Sequence, residues 1–453
     1  MVPRITAVLT RFKTDWAAQL QPEAIKAACQ EAGYPSWRDR MRTPVTTIQL
    51  FLLQILHGNT ACSHLPHLSG LRFSASAYCQ ARTKLPLDLF GLLLTRLCAS
   101  VQPHVSDEGR WHGHRTFFVD GSGCSMPDTP ALQKTFGQPT EQRPGCGFPV
   151  ARLLGLFHAG TGLLRKLVVA PLCTHDLTHG QKVHPTLAPG DVLVADRGLC
   201  SYAPLALLVQ AGLHAVLRVG ARQIVDFTSG RPVVMPGTRR TPAIKGLPRS
   251  RWLTALGHHD QLVAWLKPKT CPPWLDHATF AALPVSFVVR EVGYQVHTPG
   301  FRTHQITLVT TLLDAALYRV DDLAALYCTR WEAETHLGQL KTTMNMDVLH
   351  CKTVVGVLKE LTVFAIIYNL VHMVILQSAQ LQRVDVARIS FLDALRWLGA
   401  PSTGMPLVAL IINPARPHRV EPRVKKRRPK KFPFMSKPRH ELRHQLIQRA
   451  IGA

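Results

Sequence analysis

Apolar positions along this chain follow two different spacings. Up to about residue 105 they recur at helical intervals. Pro22 to Ala32 predicts a short amphipathic helix ended by Gly33, and Thr46 to Leu56 an apolar one. Phe73 to Leu85 predicts a third, with Ser74 and Ser76 as candidate caps, and Leu87 to Leu97 a fourth. From residue 106 the pattern changes to short apolar runs. Thr116 to Asp120, Leu153 to His158 and Leu164 to Val169 read as three strands, the last two joined by Gly160-Thr161-Gly162. A weak helix around Leu177 to Leu187 precedes a strand ending at Asp196. Tyr202 to Ala211 then reads as a helix stopped by Gly212, and His214 to Val219 as a fifth strand. This order predicts an α/β fold with a mixed sheet.

Residues 221 to 304 carry many Pro and Gly, short β-branched runs and Trp252, Trp265 and Trp274, and read as a mostly β insertion. Ile306 to Leu312 is the next strand, Asp321 to Lys341 a helix, and Leu358 to Leu376 a long buried helix. The expected division is a helical N-terminal domain (1–105), a core in two parts (106–220 and 305–400) around the insertion (221–304), and a C-terminal arm (401–453).

Charge narrows the class of partner. The 453 residues hold 53 Lys plus Arg against 28 Asp plus Glu, a formal net charge of +25. Such an excess calls for a polyanion, most simply nucleic acid. Arg416 to Arg449 alone carries thirteen basic residues, Lys425-Lys426-Arg427-Arg428 among them, against Glu421 and Glu441. Its five prolines predict an extended arm that neutralises phosphates. On the third helix Tyr78, Gln80, Arg82 and Lys84 offer a DNA-reading face or an ordinary solvated one. The longest apolar run, Val363 to Leu376, is interrupted by Asn369 and His372 and too short to span a bilayer. With no clear leader at Met1-Val2-Pro3-Arg4, a cytoplasmic protein without a membrane partner is expected. The eleven cysteines contain no Cys-x-x-Cys and are expected to be reduced. The 22 histidines show no zinc spacing.

The chemistry concentrates in three stretches. At about 100° per residue, Tyr327, Arg330, Glu334 and Lys341 fall on one helix stripe about 60° wide. Spacing alone favours an exposed helix with ordinary ion pairs. Two further acids change the balance. Asp120 and Asp196 each close an apolar strand, at the end where open α/β sheets build their sites. Two strand-end acids and one helical acid make a carboxylate cluster suited to Mg²⁺ or Mn²⁺, and paired metals drive in-line phosphoryl transfer.

These residues resemble a known family. Asp120, Asp196 and Glu334 match the DDE triad of bacterial insertion-sequence transposases. Tyr327-x2-Arg330-x3-Glu334-x6-Lys341 resembles the Tyr-Arg-Glu-Lys signature of the insertion-sequence-four-type group, and Leu308 to Asp314 and Tyr368-Asn369-Leu370 are similar to that group too. The likeness covers roughly residues 70 to 440. It implies a ribonuclease-H-like core holding two Mg²⁺ ions, replaceable by Mn²⁺. Asp120 would bridge the metals, Asp196 and Glu334 would complete one shell each, and Tyr327, Arg330 and Lys341 would grip DNA phosphates. It also implies terminal inverted repeats and target DNA as partners, a homodimer on paired ends, and cut-and-paste transposition. Hairpin-forming relatives place an aromatic before the acid helix, where this chain reads His304-Gln305-Ile306; Trp252 is the substitute at hand, or a core residue. Two other readings stay open: a ribonuclease-H-like nuclease without strand transfer, and a silent DNA-binding descendant, against which the intact triad argues.

Deleting residues 416–453 is expected to weaken DNA binding and flatten its salt dependence, because each lost phosphate contact removes about 0.9 from the slope of log K against log salt. Fluorescence anisotropy across a salt series checks this; an unchanged slope would make the arm a bystander.

Overall fold

The computed structural model describes residues 18–34, 43–101, 110–174, 180–220, 223–235, 246–296, 305–400, 409–414 and 435–451. In chain order the elements are α1 (Pro22–Glu31), α2 (Pro44–Leu56), α3 (Leu65–Ser69), α4 (Ala75–Lys84), α5 (Leu87–Val101), β1 (Thr116–Ser125), α6 (Pro130–Phe136), β2 (Val150–His158) and β3 (Leu164–Pro171). There follow β4 (Val192–Ala195), α7 (Tyr202–Gln210), β5 (His214–Arg218), β6 (Ser250–Gly257), β7 (Asp260–Leu266), α8 (His277–Ala282), β8 (Ser286–Gln295) and β9 (Gln305–Thr310). The rest are α9 (Val320–Thr329), α10 (Trp331–Gly338), a π-turn (Gln339–Thr343), α11 (Val354–Gln382), α12 (Phe391–Gly399) and α13 (Arg439–Ile451).

Among the described residues nine strands form one mixed sheet in the order β3-β2-β1-β4-β5-β9-β8-β7-β6. β1, β4 and β5 run parallel and the remaining pairs antiparallel. The central strands β1, β4 and β5 read as apolar runs because both faces of the sheet are covered there. Alternation along β1 sends Phe118 to one apolar layer and Phe117 and Val119 to the other. The first layer contains α11 and the acid helix, and the second contains α7.

α11 is the pillar of the first layer. Its 29 residues are long and apolar enough to cross a membrane, yet 72% of its most apolar stretch is buried inside the protein. The Tyr368-Asn369-Leu370 motif has a structural task there. Tyr368 donates its hydroxyl proton to the Gly162 carbonyl (3.0 Å). Asn369 accepts from the Leu164 N–H (2.8 Å) and donates to the Leu164 carbonyl (3.0 Å). Together they pin the β2–β3 turn to the helix and satisfy an otherwise buried backbone pair.

Several expectations are corrected. β1 continues five residues past Asp120 to Ser125, because Gly121, Ser122 and Gly123 keep pairing with β2. The helix expected at 177–187 is a 3-10 turn over Gln181–Thr186 with Pro185 inside it; residues 175–179 lie outside the described residues. The β-rich segment after residue 221 extends the main sheet through the β8–β9 pair. Its charged centre is Arg290, 1% exposed, forked onto Asp260 at 2.8 and 2.6 Å. The acid helix is broken in two at Arg330. In the C-terminal arm Arg439–Ile451 is helical, since the prolines all precede it; Lys425, Lys426, Arg427 and Arg428 lie outside the described residues.

Candidate active site

The two strand acids are placed by register. β1 and β4 pair in parallel from Thr116↔Val192 to Val119↔Ala195, so Asp120 and Asp196 each follow the last pair, side by side. Each carboxylate takes the next backbone N–H: Gly121 donates to Asp120 at 2.8 Å and Arg197 to Asp196 at 2.6 Å. That holds both where the β1–β4 pairing stops, with Asp196 capping the turn that follows.

The third acid arrives on the broken helix. At the α9–α10 join the hydrogen bonds tighten to i,i+3, from Arg330 N–H to the Tyr327 carbonyl (3.2 Å) and from Ala333 N–H to the Arg330 carbonyl (3.0 Å). The guanidinium of Arg330, 6% exposed, then lies between two acids. It stands 3.7 Å from an Asp120 oxygen and 3.1 Å from one of Glu334. It also approaches the Tyr327 and Trp331 rings, with centroids 5.8 and 5.4 Å away. Its Nε is buried without a partner. Burial pushes the Asp120 carboxyl above its ordinary range. The Gly121 N–H and Arg330 oppose that rise, while the like charges of Glu334 and Asp196 add to it.

Lys341 lines the same cavity as Asp120. It donates to the Ser122 hydroxyl (2.9 Å) and sits 3.6 Å from Asp347. Asp120, Ser122, Glu334, Lys341 and Asp347 line an open cavity of about 390 Å³. Tyr327 is only 5% exposed, and burial pushes its hydroxyl up to about 12. In this conformation Tyr327 and Arg330 therefore face protein. Among the named site residues, Asp120, Glu334 and Lys341 open onto the cavity.

Among the described residues no group of three His, Cys, Asp or Glu stands close enough to hold a metal ion. The donor set nevertheless fits a hard divalent cation. Asp120 and Glu334 are oxygen donors lining one cavity with the Arg330 guanidinium between them, and Asp196 follows the strand paired with that of Asp120.

The reading face expected on α4 is corrected in part. Gln80 and Lys84 are exposed. Tyr78 and Arg82 lie one turn apart on the core side: Tyr78 is fully buried, and Arg82 donates to Gln54 (3.2 Å) and lies over the Phe51 ring, 4.5 Å from its centroid. Trp252 lies on β6 with its Nε1 buried and unpartnered. Two site residues escaped the sequence reading. Ser122 was within reach, since a period of two puts it on the face of Asp120. Asp347 was not, because a π-turn and a left-handed Asn345 (φ 62°) bring it back to Lys341.

Comparison with known proteins now decides the class. The family model "Transposase DDE domain" matches residues 111–370, more than half of the chain. The chain belongs to the transposase DDE-domain family. The match runs from just before β1 into α11 and so contains Asp120, Asp196 and Glu334. Transposase InsG for insertion sequence element IS4 of Escherichia coli (strain K12) is 23% identical over 387 residues, 80% of this chain and 78% of that protein. Putative transposase InsZ of the same strain is 28% identical over 105 residues, 23% of this chain and 35% of InsZ, so the chain spans about a third of that relative's length. A solved piggyBac transposase synaptic complex with hairpin DNA aligns at 12% identity and a TM-score of 0.40, over 88% of this chain and 80% of that one; so distant a likeness carries no argument here. The DDE transposase family cleaves and joins DNA strands and works with divalent metal ions.

Replacing Arg330 with Met is expected to raise the Asp120 carboxyl pKa further in metal-free transposase, because the guanidinium is an opposing charge that lowers it. Carbon-13 NMR titration of the Asp carboxyls reads this directly; an unmoved or lowered Asp120 would remove Arg330 from the electrostatics of the site.

Proposed function

We propose that this transposase is of the insertion-sequence-four type and moves its own element by cut-and-paste. Asp120, Asp196 and Glu334 are its catalytic carboxylates on a ribonuclease-H-like core. The observation that carries the reading is the β1–β4 register together with the Arg330 bridge: the strand acids follow the same paired position, and one cation ties the helical acid to Asp120. The same three residues would hold two Mg²⁺ ions, or Mn²⁺ in their place, which supply activation of a hydroxyl nucleophile and stabilisation of the leaving oxygen.

The chain's own residues do the rest. Arg330 is paired with carboxylates in the free protein and takes the phosphate next to the cleaved bond in the DNA complex, where its fork matches two phosphate oxygens. Lys341 already lies at the mouth and needs only to exchange Ser122 and Asp347 for phosphate. Tyr327 supports Arg330 from below and adds a phosphate contact once the guanidinium moves. Gln80 and Lys84, being exposed, remain the α4 candidates for the terminal inverted repeats, with Lys425, Lys426, Arg427 and Arg428 of the arm on flanking phosphates. We retain the division into residues 1–105, 106–220, 221–304, 305–400 and 401–453, a cytoplasmic location, and a homodimer on paired ends. The His304 position argues for cleavage without a hairpin.

Asp120→Ala, Asp196→Ala and Glu334→Ala are each expected to abolish Mg²⁺-dependent cleavage while keeping affinity for end fragments. Gel-shift and nicking assays on the same fragments check this, and substantial nicking by Asp120→Ala would sink the assignment. The native protein should also join cleaved ends to a target plasmid. Cleavage with no joining would favour the nuclease reading, and binding with no cleavage the silent one.

A further inference from the structure

The loop that ends the acid helix is fastened from several sides. Backbone N–H groups of Met344, Met346 and Asp347 donate to the carbonyls of Gln339, Leu340 and Lys341 at 2.9, 3.2 and 3.2 Å. The loop thereby closes the π-turn that carries Lys341. The Cys124 thiol of β1 meets the Met346 carbonyl at 3.5 Å. Farther along, the N–H groups of His350 and Cys351 both donate to Glu360 of α11 at 2.9 Å. Asn59, in the turn after α2 with a left-handed φ of 55°, donates to Glu360 at 2.7 Å and to the Val348 carbonyl at 2.9 Å.

Glu360 is fully buried and Asn59 is 2% exposed. Three donors converge on that carboxylate, as a buried one requires. The next residue, Lys359, donates to the Arg82 and Thr83 carbonyls at the end of α4, both at 3.1 Å. Consecutive residues of α11 therefore grip the acid-helix loop and the N-terminal helices. Buried polar pairs stabilise a fold little better than well-packed apolar groups of equal volume. What they add here is a fixed geometry, and the end of this network is Lys341 beside Asp120.

We propose that Glu360 and Asn59 are positioning residues for Lys341: they fix the loop from Met344 to Cys351, so that Asp347 and Ser122 hold the ammonium at the mouth of the site. The N-terminal helices and Lys341 then keep one relative geometry. This rests on the reading of Lys341 as a phosphate ligand.

The test is a double-mutant cycle in full-length protein with Mg²⁺, reading end-fragment affinity and single-turnover nicking separately. Glu360→Gln sets an amide against the backbone donors and is expected to slow nicking about tenfold with end affinity unchanged. In the Lys341→Ala background the same change should slow nicking no further, since the two act through one step. Asn59→Ala should show the same non-additivity, and it serves alone if Glu360→Gln does not fold. Additive losses, or a native nicking rate for both variants beside a slow Lys341→Ala, overturn the positioning role. Native nicking by Lys341→Ala itself overturns the phosphate reading of Lys341, and the positioning role with it.

Discussion

Parallel hydrogen bonding between β1 and β4 fixes where two of the three acids stand, and the rest of the site is arranged around them. The register ends at Val119 and Ala195, so no side-chain choice can separate Asp120 from Asp196 without a slip of the strands. A one-residue slip would also turn Phe118 and Val194 out of their layer, so burial enforces the register. Two carboxylates locked together in a half-buried place create a charge problem. Arg330 meets it from the acid helix by standing against Asp120 and Glu334. The free protein thus holds a guanidinium between two of the acids proposed here as metal ligands.

The break in the acid helix serves this arrangement. A straight helix from Asp321 to Lys341 would keep Arg330, Glu334 and Lys341 along one stripe. With the tightened join at Arg330 and the π-turn from Gln339 to Thr343, Arg330 stands against Asp120 and Lys341 against Ser122. π-turns interrupt the regular ladder and recur at functional places. Here the exposed carbonyls are closed by the loop that Glu360 and Asn59 hold, so an irregular helix end is kept in one shape.

Much of this was legible in the sequence. Apolar runs leading into Asp120 and Asp196 located both strands and the end of β4, because a strand buried on both faces leaves an unmistakable run. The stripe from Tyr327 to Lys341 gave the acid helix. The Gly160-Thr161-Gly162 turn also stood where expected. What the sequence concealed were tertiary effects. Arg82 and Tyr78 read as a polar reading face, yet they share a turn that packs on Phe51 and Gln54. Gly121-Ser122-Gly123 looked like a turn, but pairing with β2 keeps it in the strand. Neither the tightened join at Arg330 nor the π-turn that returns Asp347 to Lys341 follows from the spacing of apolar and charged positions.

The central claim is that a divalent cation replaces the guanidinium and gathers the three acids. A crystal structure of the transposase with an uncleaved end fragment and Mn²⁺, read by manganese anomalous scattering, tests it most directly. The account calls for a manganese peak within coordination distance of Asp120, Asp196 and Glu334, with Arg330 moved from the carboxylates to a DNA phosphate. Manganese bound elsewhere, with Arg330 still between Asp120 and Glu334 and DNA engaged, would contradict it.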